Sequence, residues 1–422
     1  MKALSKSAAM FIGMLIFSST SFAAGFRLPD QDAAAMGLAG AFVGQADNPS
    51  AVWYNPAGIT QLDGTRISGG AIAIYPVMKH DNADGTTDVS GRKIHLPFQL
   101  FATSRINDKI FFGLGVTNPF GLSTDWADTS STKYVATFSE IKTLNINPNI
   151  AYKAGSALSV AAGINYLRLN AAMDKLLPFP GDPDFHMTGD GDGWGANLGV
   201  KYKASDKMDV GFSYRSKIKV HLEGTAEVDI PGIADISNAA RTDITLPALM
   251  QLGISYKATG NLTLNADLDY TGWSSYDRLA IKSDSIYQLG AIIKSLNPAS
   301  PNPTDTSIDE KQWKNTYTLR VGGQYKLSGK WKLRAGYAYD QSPVPQRYFD
   351  TRVPDSDRQA VMLGTGCTIG NITVDAAYMY LRFNNRTVTD SLADDSTPAP
   401  TALNGTYKSV AHLVGITIGY KF

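Results

Sequence analysis

The sequence predicts an all-β protein, an antiparallel transmembrane β-barrel of about fourteen strands with an N-terminal plug (hatch) in its lumen. Three observations carry that reading. A cleavable leader opens the chain and marks it for export. From Thr65 to Phe422, runs of roughly ten residues alternate apolar with polar side chains, the period of a strand whose two faces meet different surroundings. The connections between these runs are short and long by turns, as in barrels with tight turns on one side of a membrane and long loops on the other.

The leader spans residues 1–23. Lys2 and Lys6 precede an apolar core from Ala8 to Phe17, and Ser21-Phe22-Ala23 supplies a small-x-small cleavage site, so the mature chain is expected to begin at Ala24. That core is too short for an anchor, and no other segment reaches the ~18 uninterrupted apolar residues of a transmembrane helix. Composition narrows the function further. In 422 residues with 18% charged side chains the formal net charge is +1, which gives no electrostatic footprint for nucleic acid or an acidic partner. The single Cys367 has no partner for an internal disulfide. His80, His95, His186, His221 and His412 stand singly, so neither a metal centre nor any other cofactor is expected.

Residues 24–60, AGFRLPDQDAAAMGLAGAFVGQADNPSAVWYNPAGIT, lack the alternation that follows them. The small-residue run from Ala33 to Ala46 predicts a short helix, too brief to cross a bilayer. Asn48-Pro49 and Asn55-Pro56, the second closed by Ala57-Gly58, predict turns, because each proline fixes its own φ and pushes its predecessor out of the helical region. The expected organisation is a leader (1–23), a kinked non-strand plug (24–60) and one barrel domain (61–422).

The last run shows the barrel pattern best. His412, Val414, Ile416, Ile418, Tyr420 and Phe422 share one face, and Leu413, Gly415, Thr417, Gly419 and Lys421 the other. Trp313, Asn315, Tyr317, Leu319 and Val321 likewise oppose Lys314, Thr316, Thr318 and Arg320, and this parity points Lys314 into the lumen. Aromatic residues at the ends of the apolar faces sit where headgroup belts would place them. Strands are expected near 65–77, 94–105, 109–118, 139–153, 157–172, 193–204, 207–222, 243–257, 261–273, 313–327, 330–340, 358–370, 371–383 and 409–422. Asn107-Asp108, Ala154-Gly155-Ser156, Ser205-Asp206, Thr259-Gly260, Ser328-Gly329 and Gly370-Asn371 make the tight turns. A closed barrel pairs every backbone group in the bilayer, which an open sheet does not.

No catalytic constellation appears; HExxH, GxSxG and paired cysteines are all missing from the sequence. Gly189 to Gly195, GDGDGWG, lacks the bidentate Glu of a calcium loop and reads as a hairpin loop entering a strand. Asp267 and Asp269 alternate into the lumen, where a solvated wall is the ordinary reason for them. Two outer loops stand out instead. DKLLPFPGDPDF offers Leu176, Leu177, Phe179 and Phe185, and VDIPGIADI offers Ile230, Ile233 and Ile236. Apolar residues in loops facing water mark an external groove for a lipid tail, unless they pack on one another as a cap.

Beyond these patterns lies a resemblance. The start Ala24-Gly25-Phe26, the small-residue segment and the motif Asn55-Pro56-Ala57 resemble the hatch of the FadL-type outer-membrane transporters. Tyr214-Arg215-Ser216, Leu246-Pro247, Thr271-Gly272-Trp273-Ser274, Asp340-Gln341-Ser342-Pro343-Val344-Pro345 and Pro354-Asp355-Ser356-Asp357-Arg358 extend the likeness over nearly the whole mature chain. That family imports long-chain fatty acids and, in some members, aromatic hydrocarbons, and is similar in fold to the barrel expected here. The resemblance implies a monomer in the outer membrane, passive uptake, capture of ligand in an outer-loop groove, and transfer to a lumenal pocket with a cationic end. It also implies release sideways through a kinked third strand once the hatch shifts; here that strand holds Gly113 and Gly115 and stops at Asn118-Pro119. The ligand carboxylate in the family is met by an Arg beyond the fifth strand and a Lys in the tenth. Local pattern carries these to Lys175 and Lys314, with Arg168 competing for the first place. A Lys in place of the family's Arg turns a forked contact into a point charge. The alternatives are a channel for neutral aromatic hydrocarbons, an outer-membrane lipase, for which the outward His412 lacks an identified Ser partner, and a plain porin.

Overall fold

A computed structural model describes residues 25–392 and 402–422. The leader assigned to residues 1–23 lies outside the described residues. Fourteen strands close into one antiparallel barrel. They are β1 (Thr65–Asn82), β2 (Phe98–Arg105), β3 (Ile110–Thr117), β4 (Phe138–Lys153), β5 (Leu158–Leu176), β6 (Asp184–Lys203) and β7 (Met208–Arg215), followed by β8 (Leu249–Lys257), β9 (Leu262–Thr271), β10 (Thr316–Lys326), β11 (Trp331–Asp340), β12 (Arg358–Ile369), β13 (Ile372–Phe383) and β14 (Gly405–Lys421). The seam pairs β1 with β14 from Arg66↔Lys421 to Asn82↔Gly405.

Alternation decides which face meets lipid. On β14, Val414, Ile416 and Ile418 are 49%, 51% and 56% exposed, whereas Leu413 is 6% exposed. On β10, Tyr317, Leu319 and Val321 point outward while Thr316, Thr318 and Arg320 are buried. This inversion, apolar side chains out and polar ones in, is stable only where the outside is hydrocarbon. Pro148 tests the rule that backbone groups in a bilayer stay paired, because it sits inside β4 with no N–H to give. The Asn147 side chain supplies the missing donor, its Nδ2 reaching Ile164 O at 2.7 Å.

The plug differs from the helix expected over Ala33–Ala46. Only α1 (Ala33–Met36) forms, with Asp32 as its N-cap through a bond from Ala35 N to Oδ2 at 3.0 Å. The chain then turns, with Ala39, Gly40 and Ala46 at positive φ of 59°, 74° and 39°. Helix propensity loses here because the barrel wall offers better partners: Asp267 Oδ2 accepts Phe42 N at 2.7 Å and Val43 N at 2.9 Å, bonds a continuing helix would not leave free. A second turn, α2 (Ala51–Tyr54), leads into the 3-10 helix Pro56–Gln61.

Outside the membrane the sheet departs from the expected runs at β7 and β8. The run expected over 207–222 breaks after Arg215, where Ser216 ends the ladder by bonding Ala196 through both its N (to O, 2.9 Å) and its Oγ (from N, 2.9 Å). Ile218–Ile230 then pairs with the outer half of β6 and turns back as Ala234–Leu246. Pro247 ends that strand before β8 begins. Gly189 to Gly195 lies within β6, not in a hairpin loop. The long loop 274–312 carries short strands at Arg278–Ser283 and Thr306–Glu310 and a helix, α3 (Asp284–Leu296), whose N-cap Ser283 accepts from Ser285 N.

This extension overturns the expected outer-loop groove. Leu176, Leu177 and Ile230 are buried, Phe179 is partly covered, and Leu177, Phe185, Val228, Ile230, Ile236, Leu279 and Ile281 form one small core beneath α3. Only Ile233, at the hairpin tip, stays exposed. Burial of apolar area in an extra sheet and helix takes these side chains out of water more completely than an open groove would.

Candidate functional site

The plug is held by lumen-facing side chains. Arg215 on β7 donates to Val52 O (3.0 Å) and Trp53 O (2.8 Å), the carbonyls α2 leaves unpaired, and its guanidinium lies 4.1 Å from the Trp53 ring centroid. Its other nitrogen bonds Asn165 Oδ1 at 2.7 Å and Asn147 Oδ1 at 3.1 Å. Asp269 gathers Arg27 of the plug (3.3 Å) and Arg320 of β10 (3.0 Å), and Arg320 also reaches Ala39 O at 2.9 Å. Asp267 and Asp269 are therefore anchors and not a solvated wall. In the Asn55-Pro56-Ala57 motif, Asn55 Nδ2 bonds Val43 O and Val200 O, each at 3.0 Å, while Oδ1 caps the following turn at Ala57 N.

The plug's first residues meet the outer-loop motifs. Phe26 sits among Trp273 (4.8 Å between centroids), Trp313 (5.6 Å), Tyr276 (5.8 Å) and Phe120 (6.0 Å). Asp355 Oδ2 accepts Gly25 N at 2.8 Å and Ser342 Oγ at 3.1 Å, which ties the two halves of the 340–358 loop to the start of the plug.

Among the cavities formed by the described residues, two have mainly apolar linings and adjoin each other. The outer one, about 90 Å³, is lined by Leu122, Ile141, Leu169, Leu222, Ile244 and Leu279, with Lys311, Arg352 and Tyr276 at its polar end. Its bore is set by small residues in register across four strands, Ala171↔Gly189, Gly189↔Gly224 and Gly224↔Ala240. The inner cavity, about 750 Å³, is within the range of small-molecule sites. Ile72, Phe98, Phe120, Met362, Met379 and Leu413 line it, and Arg27, Arg320 and Arg358 stand at its floor with Asp30 and Asp340. Leu122, Glu140, Ile141 and Val353 border both cavities and separate them.

The charges around the outer cavity do not fully cancel. Lys311 pairs with Asp309 (2.7 Å) and Asp350 (2.9 Å), and Arg352 with the same two carboxylates (2.5 and 3.2 Å). Burial works against the Lys311 charge, but Asp350 and Asp309 more than offset it and hold the ammonium above its ordinary value. Lys175 faces the same cluster. It makes no ion pair among the described residues, and its Nζ lies 5.7 Å from the Phe185 ring centroid. Burial, reinforced by Arg352, pushes its ammonium down to about 8.

Lys314 is not in this site. It is exposed, and the strand begins two residues later at Thr316, so the parity that pointed it inward does not reach it. Lys311 and Trp313 are inside, Lys314 and Asn315 are both exposed, and alternation resumes with Thr316 inside, so the parity changes between Trp313 and the strand. The spacing of Asp309 and Lys311, two residues apart on one short strand's end, was the readable sign of this pair. Arg168 is also excluded: it is exposed and paired with Asp190 at 2.6 Å. The residues missed in the sequence are Lys311, Arg352 and the floor arginines Arg27 and Arg320.

Gly113 and Gly115 make room for the plug. A Cβ on Gly113 would stand 2.7 Å from Val52 Cγ2, and one on Gly115 3.0 Å from Val52 Cγ1. Neither marks a bulge, since β3 pairs with β4 without interruption from Ile110↔Tyr152 to Thr117↔Asn145. The break comes after them. Beyond the bond from Phe98 N to Asn118 Oδ1 (2.8 Å), no backbone hydrogen bond among the described residues joins 92–97 to 119–124. Ile94 and Leu96 are 63% and 64% exposed yet also line the inner cavity, so the wall has a side opening there.

Comparison with known proteins agrees with this architecture. Residues 14–422 match the family described as outer membrane protein transport protein (OMPP1/FadL/TodX). The long-chain fatty acid transport protein of Escherichia coli K12 is 25% identical over 429 residues, covering 90% of this chain and 93% of that one. Outer membrane protein P1 of Haemophilus influenzae is 24% identical over 473 residues, with 97% of each chain covered. Among solved structures, a Pseudomonas aeruginosa FadL homologue superposes with a TM-score of 0.79 at 22% identity over 94% of this chain and 100% of that chain. The Ralstonia pickettii toluene transporter TbuX gives 0.71 at 18% identity over 94% and 99%. A corked barrel with lipid-facing apolar walls, matched along almost its whole length, is thus a FadL-family outer-membrane transporter of hydrophobic compounds.

Proposed function

We propose that this protein takes up long-chain fatty acids, and that the carboxylate is recognised at the outer cavity by the Lys175–Lys311–Arg352 cluster. The observation that carries this reading is the surplus ammonium of Lys175, partly buried beside two cations whose two carboxylates are already shared. A buried cation without a partner is costly, and an incoming carboxylate relieves it. The apolar lining holds the acyl chain, and the row Ala171–Gly189–Gly224–Ala240 leaves it a narrow bore. From there the chain passes Leu122 and Val353 into the larger cavity and leaves through the side opening at residues 92–97 and 118–124 after the plug shifts. A lateral route suits this cargo, since each CH₂ kept out of water is worth about 0.8 kcal/mol. Uptake is passive.

Oleate binding to the purified barrel, set against oleyl alcohol, tests the reading. Lys175→Met should weaken oleate about tenfold and leave the alcohol unchanged, because only the acid carries a charge for Lys175 to meet. Equal oleate affinity in the variant would move the reading to a neutral hydrocarbon cargo.

A further inference from the structure

Away from the ligand path, the outward wall of β13, β14 and β1 changes chemistry at one level. Tyr380, His412 and Tyr75 stand in register across the three strands and close the apolar face with an aromatic row. The Tyr380 and His412 rings are 5.4 Å apart, and Tyr378 Oη lies 2.8 Å from His412 Nδ1. Farther out on the same face come Arg382 on β13, Lys408 on β14 and Lys79 on β1, all exposed. Arg382 is in register with Val410, and Lys408 directly faces Lys79.

Two lysines opposed across a ladder repel each other, so such a pair calls for a counter-charge. The protein sets one carboxylate beside the pair, Asp81, which lies 2.5 Å from Lys408 and also feels the charge of Lys79, so one negative charge stands against three positive ones. Lys79 and Arg382 form no ion pair among the described residues. Some exposed cations elsewhere are paired, as Arg168 with Asp190 (2.6 Å) and Lys219 with Asp243 (2.7 Å), and others such as Arg278 are not among the described residues, but Arg278 does not stand opposite another cation in its ladder as Lys79 and Lys408 do.

We propose that Lys79, Arg382 and Lys408 bind the phosphate of a phosphorylated glycolipid in the outer leaflet. The patch continues the lipid-facing surface of Val414 and Ile416 past its aromatic edge, on the side of the long loops. A lipid whose acyl chains lie on that surface brings its headgroup to this height. The Arg382 guanidinium offers a fork suited to phosphate oxygens, and the two ammonium groups add point charges beside it. A phosphate free in solution has no acyl chain to hold it at the membrane edge.

The test uses the full barrel in neutral detergent, titrated with bis-phosphorylated lipid A, with the same lipid dephosphorylated, and with inorganic phosphate. The wild type should retain lipid A, and Lys79→Gln with Arg382→Gln should weaken retention about thirty-fold, the worth of two surface cations. Lys79→Arg with Arg382→Lys should keep it. Dephosphorylated lipid should bind weakly to every form, and oleate binding and melting should be the same in all of them. Equal retention by wild type and the Gln variant overturns the proposal, as does tight binding of dephosphorylated lipid by the wild type. Displacement of lipid A by millimolar inorganic phosphate would assign the patch to a free anion and overturn it too.

Discussion

Two regions bury cations in this molecule, and they treat them differently. Around the plug every guanidinium has acceptors: Arg215 takes two carbonyls and two asparagines, and Arg27 and Arg320 share Asp269. Around the outer cavity two cations, Lys311 and Arg352, share two carboxylates, and a third, Lys175, is left over. The first arrangement holds a part in place, because each guanidinium is tied to plug and wall acceptors through its terminal nitrogens or, in Arg320, also through Nε. The second is incomplete in a way that a charged ligand completes. Pairing, more than burial, separates the anchoring cations from the recognising ones.

The largest expected effect tests the anchoring side. Arg215→Ala removes the group that satisfies two plug carbonyls and should cost about 3–5 kcal/mol, read as a lower melting temperature together with raised single-channel conductance as the plug loosens. An unchanged melt and a closed channel would show that the plug does not depend on this residue. Gly113→Val comes next. Its new side chain competes with Val52 and Ile59 for the same space, and overpacking of this kind costs about 1–3 kcal/mol. Replacing Val52 with Ala in the same chain should restore part of the loss.

On the recognising side, the Lys175→Met variant should lose about tenfold in oleate affinity without losing stability, because no carboxylate is orphaned by it. The pH profile sharpens the point. With its ammonium at about 8, Lys175 is protonated below that pH, while a carboxylic acid ligand is ionised throughout the neutral range. Oleate affinity should therefore be full below pH ~8 and fall as pH rises through it, at most tenfold per unit, with a flatter profile in Lys175→Met. The smallest effect belongs to Lys314→Ala, which should change neither affinity nor stability, since that side chain is exposed. A loss comparable to that of Lys175→Met would reverse the placement of the two lysines.

What could be read from the sequence follows from how local the cause is. The faces of β9, β10 and β14 were legible because alternation against lipid is a period-two signal carried by each strand alone. The tight turns were legible through Gly, Asn, Asp and Ser for the same reason. The α1 segment was not, because its end is decided by Asp267, a residue more than two hundred positions away. Lys314 was misplaced because the ladder begins only at Thr316, and Lys314 and Asn315 before it are both exposed, so the strand's parity does not extend back to them. The apolar loop residues Leu177 and Ile230 were read as an open groove because α3, which covers them, lay in a stretch with no strand pattern to place it.

The seam carries a consequence for folding. Residues 66–82 and 405–421 zip together along their full length, so closure joins segments more than three hundred positions apart, the slowest kind of contact to form. Val52, meanwhile, occupies the space that side chains at 113 and 115 would fill. The seam and the plug are thus linked: the sheet that the β1–β14 register closes is the same sheet whose small residues on β3 make room for Val52.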